Sequence, residues 1–294
     1  MSELEKLIKR GEALLERVET LLPRATRPVD WNASIAFRWR KTPRGGFIQP
    51  VTNLHRIRLS DLYGVDNQKA LIEQNTRQFV EGRTANNALL TGARGTGKSS
   101  LVKAVLDNFH REGLRLIEVE KHDLIDLPDI VDQVCARPER FILFCDDLSF
   151  ELSEAAGYKA LKVVLDGSVA ATSENLLIYA TSNRRHLMPE YMQENLEAKH
   201  LGGEIHPGET VEEKISLSER FGLWVSFYPF DQDDFLAIVA HWLRELGCGE
   251  GEMAKARQEA LQWALQRGSR SGRVAWQFAR DYAGRHAGDG KSKR

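Results

Sequence analysis

The feature that most constrains this chain is a glycine-rich loop at residues 91–99, which reads TGARGTGKS. A short apolar run at 88–90 precedes the loop, and apolar side chains at helical spacing follow it from Leu101 to Phe109. This order predicts a strand, a loop and a helix. Glycine allows the backbone N–H groups of such a loop to approach phosphate oxygens at a helix N-terminus. Lys98 adds a positive charge there, and Ser99 adds a hydroxyl suited to Mg²⁺.

The composition is that of a globular protein outside the membrane. The chain has 294 residues, of which 42% are apolar and 28% are charged, and this length allows one large core or two small ones. No apolar run approaches the ~20 residues of a membrane span, and the N-terminus lacks the apolar core of a signal peptide. We therefore expect a cytoplasmic protein with reduced cysteines and no membrane partner.

Charge is distributed unevenly along the sequence. Residues 1–60 and residues 267–294 each carry an excess of six positive charges, although the whole chain has a net charge of −1. The middle of the chain is therefore strongly acidic. Basic ends permit a polyanionic partner but also occur as solvated surface, so charge alone leaves both interpretations open.

Residues 1–58 form the predicted N-terminal region, a helix followed by a basic and aromatic arm. Apolar residues at near-heptad spacing predict a helix over 2–22 that ends at Pro23. Residues 23–50 contain prolines and glycines, which we expect to interrupt any regular element. In residues 31–41 aromatic side chains alternate with basic ones. Such a segment either stacks on nucleic-acid bases or docks its rings on the protein and leaves its arginines in solvent.

Residues 59–229 alternate short apolar runs with helical patterns. Apolar runs without polar alternation are typical of strands that are covered on both faces. Their alternation with helices predicts a parallel sheet in an α/β domain. Five strands are predicted, near residues 88–90, 116–119, 141–145, 176–180 and 223–227.

The remaining segments are predicted to be a loop, a helical domain and a tail. Residues 186–212 are polar, and we expect a loop with one short helix over 190–198. Residues 230–286 show three amphipathic helices, which predict a small second domain. Residues 287–294 are expected to form a flexible basic tail.

Four residues of interest lie just after three of the predicted strands. Gly92 comes two residues after the first strand, Asp146 and Asp147 directly follow the third, and Asn183 comes three residues after the fourth. Ligands of parallel sheets gather at the carboxyl ends of the strands. We therefore expect these four residues at one edge of the sheet.

Together these segments resemble the AAA+ family of ATPases over about residues 59–286. The matching motifs are Walker A at 94–99, Walker B at 145–147, sensor 1 at 182–183, the arginine-finger segment SERFG at 218–222 and sensor 2 SGRVA at 271–275. The resemblance implies an α/β fold with a five-stranded parallel P-loop NTPase core and a small C-terminal helical lid domain. More narrowly, residues 161–167, 175–187 and 218–227 resemble a bacterial family of uncharacterised AAA+-type ATP-binding proteins.

This resemblance implies ATP and Mg²⁺ as cofactors. Lys98 would neutralise the β and γ phosphates, while Ser99 and Asp146 would hold the metal. The implied nucleotide-binding residues are Gly64, Val65, Gly92, Ala93, Arg94, Gly95, Thr96, Gly97, Lys98, Ser99, Ser100 and Arg273.

Four side chains have implied catalytic roles. Asp147 would orient and deprotonate the attacking water, and Asn183 would fix that water or the γ-phosphate. Arg273 would reach the nucleotide from the lid. Arg220 would act in trans, on the site of a neighbouring copy, although a surface arginine in an ion pair has the same sequence signature.

The Walker B motif departs from the common AAA+ pattern. Most members carry Asp-Glu where this chain has Asp146-Asp147, and the shorter second side chain must lie closer to the same water. We therefore expect slow hydrolysis, with Glu151 or Glu154 as alternative bases.

The leading hypothesis is an ATPase whose copies assemble on nucleotide into a homo-oligomer, in order to remodel or load an unidentified protein or nucleic acid. The alternative is an ATP-gated nucleic-acid-binding switch or loader with negligible hydrolysis, which would use the arm at 24–58. A small-molecule kinase fits less well. A GTPase is disfavoured because 183–186 (NRRH) lacks the guanine-reading pattern.

Overall fold

The computed structural model describes residues 12, 29–43, 45–54, 56–149, 155–166, 174–183, 199–201, 204–206 and 217–286. The strands are β1 (Ala36–Thr42), β2 (Gly45–Pro50), β3 (Ala88–Gly92), β4 (Leu114–Glu118), β5 (Arg140–Cys145), β6 (Leu176–Ser182), β7 (Lys199–Leu201), β8 (Glu204–His206) and β9 (Leu223–Phe227). The α-helices are α1 (Asp66–Val80), α2 (Lys98–Phe109), α3 (Leu127–Val134), α4 (Ala155–Asp166), α5 (Gln232–Glu245), α6 (Met253–Arg267) and α7 (Gly272–His286). Short 3₁₀ segments lie at Leu59–Asp61, His110–Glu112, Lys121–Asp126 and Glu250–Glu252.

The main sheet contains the five predicted strands and two more. Its order is β2-β1-β4-β5-β6-β3-β9. Every neighbouring pair is parallel except β1 and β2, which form an antiparallel hairpin. The predicted α/β class with a parallel sheet is therefore confirmed, and the strand count of the sheet is seven instead of five.

Helices cover both faces of this sheet, which explains why its strands lack polar alternation. On β5, Ile142 and Phe144 belong to one apolar cluster, together with α2 and the C-terminal helices. Phe141 and Leu143 point to the opposite face and belong to a second cluster, with Leu161 of α4. A central strand therefore buries both of its faces.

The extra hairpin overturns the expectation of an irregular arm. The rings of Trp31, Phe37 and Trp39 are only 6%, 0% and 2% exposed, so these rings cannot stack on bases. The aromatic part of the nucleic-acid interpretation is wrong for this segment, and the docked-ring interpretation is correct. The hairpin lies within residues 1–58, and the division of the chain into domains stays a prediction.

Three basic side chains of β1 are paired as well. Ion pairs join Arg38 to Glu118 at 2.6 Å, Arg40 to Glu120 at 3.2 Å and Lys41 to Asp126 at 2.9 Å. Three cations of the basic arm therefore face carboxylates of this same chain.

Three helices follow β9, as predicted. Asp231 caps α5 by accepting a hydrogen bond from the Asp234 backbone N–H at 2.8 Å, and α6 ends at Gly268. Edge-to-face ring contacts, including Trp263 with Phe278, hold the helices together. Within the described part of the chain, no helix is long and apolar enough to cross a membrane.

Several predicted segments lie outside the described residues. These are the helix over 190–198, the tail at 287–294, the alternative bases Glu151 and Glu154, and nearly all of the helix over 2–22. Of that last helix the structure describes Glu12, which is helical. Within the polar segment at 186–212, β7 and β8 pair antiparallel.

Candidate nucleotide-binding site

A cleft of about 520 Å³ opens at the carboxyl ends of β3, β5 and β6, beneath the C-terminal helices. Among the residues that line it are most of the predicted site: Val65, Arg94, Gly95, Thr96, Gly97, Lys98, Ser99, Ser100, Asp146, Asp147, Asn183 and Arg273. Gly92 and Ala93 lie in the loop behind this lining, and Gly64 adjoins Val65. The structure thus brings together residues from several separate segments of the chain.

The glycine loop has a backbone that only glycine adopts easily. Gly92 has a φ of +136°, and a Cβ there would lie 2.0 Å from the carbonyl oxygen of Phe227. Gly95 has a φ of +76°, and a Cβ there would lie 2.9 Å from the side chain of Ser271. The loop is therefore packed against β9 on one side and against the start of α7 on the other.

Lys98 is folded back onto this loop. Its ammonium donates hydrogen bonds to the carbonyl oxygens of Gly92 and Ala93, both at 2.7 Å, and to Oδ1 of Asn183 at 3.1 Å. The residue is only 6% exposed. Burial lowers the pKa of Lys98 below its ordinary value of 10.5, and the nearby carboxylates of Asp146 and Asp147 act in the opposite direction.

The two Walker B carboxylates have different surroundings. Asp146 accepts hydrogen bonds on Oδ1 from the hydroxyls of Ser99 and Thr181, both at 2.6 Å. Asp147 accepts one on Oδ1 from the Asn183 amide at 2.5 Å, and Arg94 lies 3.7 Å from its Oδ2. Asn183 therefore connects the Lys98 ammonium to the Asp147 carboxylate.

Asp147 has a left-handed backbone with a φ of +54°, which no other non-glycine residue adopts in the part of the chain that the structure describes. Asp and Asn tolerate this region better than longer side chains do. The conformation offers a physical reason for aspartate, instead of the usual glutamate, at the second Walker B position.

The C-terminal helices touch the glycine loop directly. The backbone N–H of Gly272 donates to the carbonyl oxygen of Gly95 at 2.8 Å, and the Ser271 hydroxyl accepts from the Val274 N–H at 3.3 Å. These bonds fix the start of α7 beside the loop. Arg273, the second residue of α7, lines the cleft and is exposed to solvent.

One wall of the cleft is aromatic, and sequence reasoning missed it as a site feature. Tyr63, Phe230, Trp242 and Trp276 line this wall. The two tryptophan rings meet edge to face at 4.6 Å, and Tyr63 Oη lies 3.3 Å from Nδ1 of His241. The helical pattern predicted Trp242 only as a core residue. Thr181 was missed too, although it stands two residues before Asn183.

Arg220 lies outside the cleft. It follows the helical turn at 217–219, and its Nε is 2.5 Å from Oδ1 of Asp166, the last residue of α4. Its side chain is 22% exposed. The described residues of one copy therefore place this arginine in an ion pair within the chain, and its action in trans stays a prediction.

The residues present fit a nucleoside triphosphate with Mg²⁺. The cleft volume is in the usual range for small-ligand sites, and the first N–H groups of a helix such as α2 lack partners within the helix. The hydroxyl of Ser99 and the carboxylate of Asp146 are hard oxygen ligands of the kind that Mg²⁺ prefers. Lys98 supplies a cation within reach of the same space.

The fold is shared with solved P-loop ATPases. The FIGL-1 AAA domain in complex with ADP is similar with a TM-score of 0.53 at 19% identity, over 81% of this chain and 76% of that one. A variant of RuvB from Thermotoga maritima is similar with a TM-score of 0.51 at 14% identity, over 78% of this chain and 65% of that one. The chain thus spans slightly less than two thirds of the RuvB chain. None of the curated proteins matches.

The sheet order, the glycine loop and the C-terminal helices define a P-loop protein with the AAA+ fold, and the predicted resemblance is confirmed at that level. The model of one protein family covers residues 32–286, and its description is "Protein of unknown function (DUF815)". The chain belongs to the DUF815 family.

Proposed function

We propose that this protein binds ATP with Mg²⁺ and hydrolyses it slowly. One observation carries the proposal: the buried ammonium of Lys98 lies beside the hydrogen-bonded pair of Ser99 and Asp146, at the mouth of the glycine loop. A cation, a hydroxyl and a carboxylate at a helix N-terminus match the needs of a triphosphate and its metal. The FIGL-1 domain, of similar fold, was solved with ADP.

Each of five side chains of the cleft would have its own role in phosphoryl transfer. Lys98 would exchange its bonds to the loop carbonyls for bonds to the β and γ phosphate oxygens. Ser99 and Asp146 would hold Mg²⁺, which when bound offsets the charge of the same oxygens. Asp147 would accept a proton from the attacking water, and Asn183, already bonded to Asp147, would hold that water in line.

We further propose that nucleotide controls the assembly of several copies. Arg220 would then leave Asp166 and point its charge at the γ-phosphate of a neighbouring copy, as arginine fingers do. Such an assembly would remodel or load a macromolecular partner in the cytoplasm. The nucleic-acid switch is the weaker alternative, because Phe37 and Trp39 are buried. The cations of Arg38, Arg40 and Lys41 are paired with carboxylates.

Calorimetric titration with ATP and Mg²⁺ tests the nucleotide site. Lys98→Ala should lower ATP affinity at least tenfold, about 1.4 kcal/mol. Lys255→Ala serves as the matched control, because it removes an exposed lysine from α6, away from the cleft. Equal heats for the Lys98→Ala variant and the unchanged protein would refute the proposal.

Mixing two inactive variants tests the trans role of Arg220. Arg220→Ala keeps an intact cleft, and Lys98→Ala keeps an intact Arg220. If the arginine acts in trans, a mixture of the two should regain part of the ATP turnover that each lacks alone. A mixture no more active than its separate components would contradict the assembly model.

A further inference from the structure

We infer that Thr181 is a positioning residue, which holds both Walker B aspartates in place for Mg²⁺-dependent chemistry. The inference rests on the proposed function, since it assigns a role within the Mg²⁺–ATP site. It starts from a residue that no sequence motif singled out and that lies on the strand next to Walker B. Thr181 is 1% exposed.

Thr181 bonds to three consecutive residues of the neighbouring segment. Its hydroxyl donates to Oδ1 of Asp146 at 2.6 Å and accepts from the backbone N–H of Asp147 at 2.9 Å. Its carbonyl oxygen accepts from the backbone N–H of Leu148 at 2.6 Å. One residue of β6 thus fixes the whole turn in which β5 ends.

The direction of these bonds follows from their chemistry. A carboxylate only accepts hydrogen bonds and a backbone N–H only donates them, whereas a hydroxyl does both. The single hydroxyl proton of Thr181 therefore goes to Asp146, and a lone pair receives the N–H of Asp147. Valine has nearly the same shape but can do neither.

The turn needs such a support because its backbone is strained. Asp147 has a φ of +54°, and a non-glycine residue persists in this region only where its surroundings hold it. Thr181 accepts the Asp147 N–H, and the Asp147 carboxylate accepts a separate bond from the Asn183 amide. Loss of the hydroxyl would remove one hydrogen bond from each aspartate at once.

The effect should appear in the metal dependence. In the structure Ser99 and Thr181 both donate to Oδ1 of Asp146. If the Ser99 oxygen binds Mg²⁺, the Thr181 hydroxyl would remain to orient this carboxylate. Binding of ATP without metal depends on Lys98 and the glycine loop, which Thr181 does not contact in any of these bonds.

The test compares Thr181→Val, Thr181→Ser and Thr76→Val. Thr76 is a matched control, because it is a fully buried threonine whose hydroxyl bonds to Ile72 and Tyr179 outside the cleft. For each variant, ATP affinity is measured by calorimetry, first in EDTA and then at increasing Mg²⁺ concentrations. The kcat and KM of ATP turnover are measured on the same samples.

Thr181→Val should leave the affinity in EDTA within twofold, raise the half-saturating Mg²⁺ concentration at least tenfold and lower kcat at least tenfold. Thr181→Ser should stay within threefold in every measurement. Thr76→Val should lower the thermal midpoint only. Thr181→Ala should repeat the shift in Mg²⁺ dependence if the valine variant does not fold.

Unchanged Mg²⁺ dependence in Thr181→Val, or an equal shift in Thr76→Val, would overturn the inference while ATP binding by the unchanged protein still stands. If the unchanged protein binds no ATP in either condition, the proposed function itself is wrong.

Discussion

Gly92→Ala tests whether the glycine loop is held by its contact with β9. A methyl group there would start 2.0 Å from the Phe227 carbonyl oxygen, whereas carbon–oxygen contacts normally stay beyond about 3.3 Å. The backbone would have to move by roughly 1.3 Å to relieve this overlap. Because the Gly92 carbonyl accepts a hydrogen bond from Lys98, the movement would also displace the ammonium.

Gly113→Ala is the control for backbone strain. Gly113 has a φ of +91° with nothing within 4 Å of a new Cβ. Alanine there would therefore add only the cost of a left-handed backbone, which is about 1–2 kcal/mol of unfolding free energy. Gly92→Ala carries at least the same strain plus an overpacking cost of typically about 1–3 kcal/mol. We therefore expect Gly92→Ala to be more destabilising than Gly113→Ala by about 1–3 kcal/mol.

Urea unfolding of both variants, with the slopes fitted separately, measures this difference. ATP titration of the same samples should show weaker binding for Gly92→Ala and unchanged binding for Gly113→Ala. Equal unfolding free energies for the two variants would refute the argument from close packing, because strain alone would then explain both.

Three further predictions concern single side chains. Burial lowers the pKa of Lys98, so the unfolded chain keeps this proton to higher pH than the folded protein does. The free energy of unfolding should therefore rise with pH between the folded and unfolded pKa values of Lys98. Urea unfolding of Lys98→Met should lack that rise. Burial raises the pKa of Tyr179 from 10.0 to about 12, so stability should fall across this window by about 1.4 kcal/mol per pH unit, and alkaline melts of Tyr179→Phe should lack that fall. Asp147→Asn should keep ATP affinity within threefold and lower turnover about a hundredfold or more; single-turnover assays check this, and unchanged turnover would exclude Asp147 as the base.

The central strands could be predicted because the sequence of each strand alone shows the pattern that a buried strand needs. A strand covered on both faces needs a continuous apolar run, and β5 and β6 supply one each. The carboxyl-end placement of Asp146, Asp147 and Asn183 then followed from the geometry of parallel sheets. Local sequence was sufficient wherever the constraint was local.

The hairpin was not predicted because the prolines and glycines of residues 23–50 favour an irregular segment. Phe37 and Trp39 alternate with Arg38 and Arg40, which is also the two-residue period of a strand that buries one face. The rings turn inward, while the arginines turn toward Glu118 and Glu120 on or just after β4. Those acids are distant in sequence, so only the tertiary structure shows the pairing.

Parts of the candidate site were unpredictable for the same reason. Tyr63, Trp242 and Trp276 come from three distant segments, and each alone is an ordinary aromatic residue. Thr181 stood in a predicted strand, but nothing in its own segment shows that its hydroxyl meets the neighbouring turn. Contacts between elements, rather than within them, decide these roles.

The hydrogen bond from Gly272 to Gly95 couples the start of α7 to the backbone of the glycine loop. The bond joins the backbone N–H of Gly272 to the backbone carbonyl oxygen of Gly95, so no side chain lies between the helix and the loop. A displacement of the start of α7 would therefore reach the loop backbone directly. Conversely, a change in the loop backbone at Gly95 would reach α7 by the same bond.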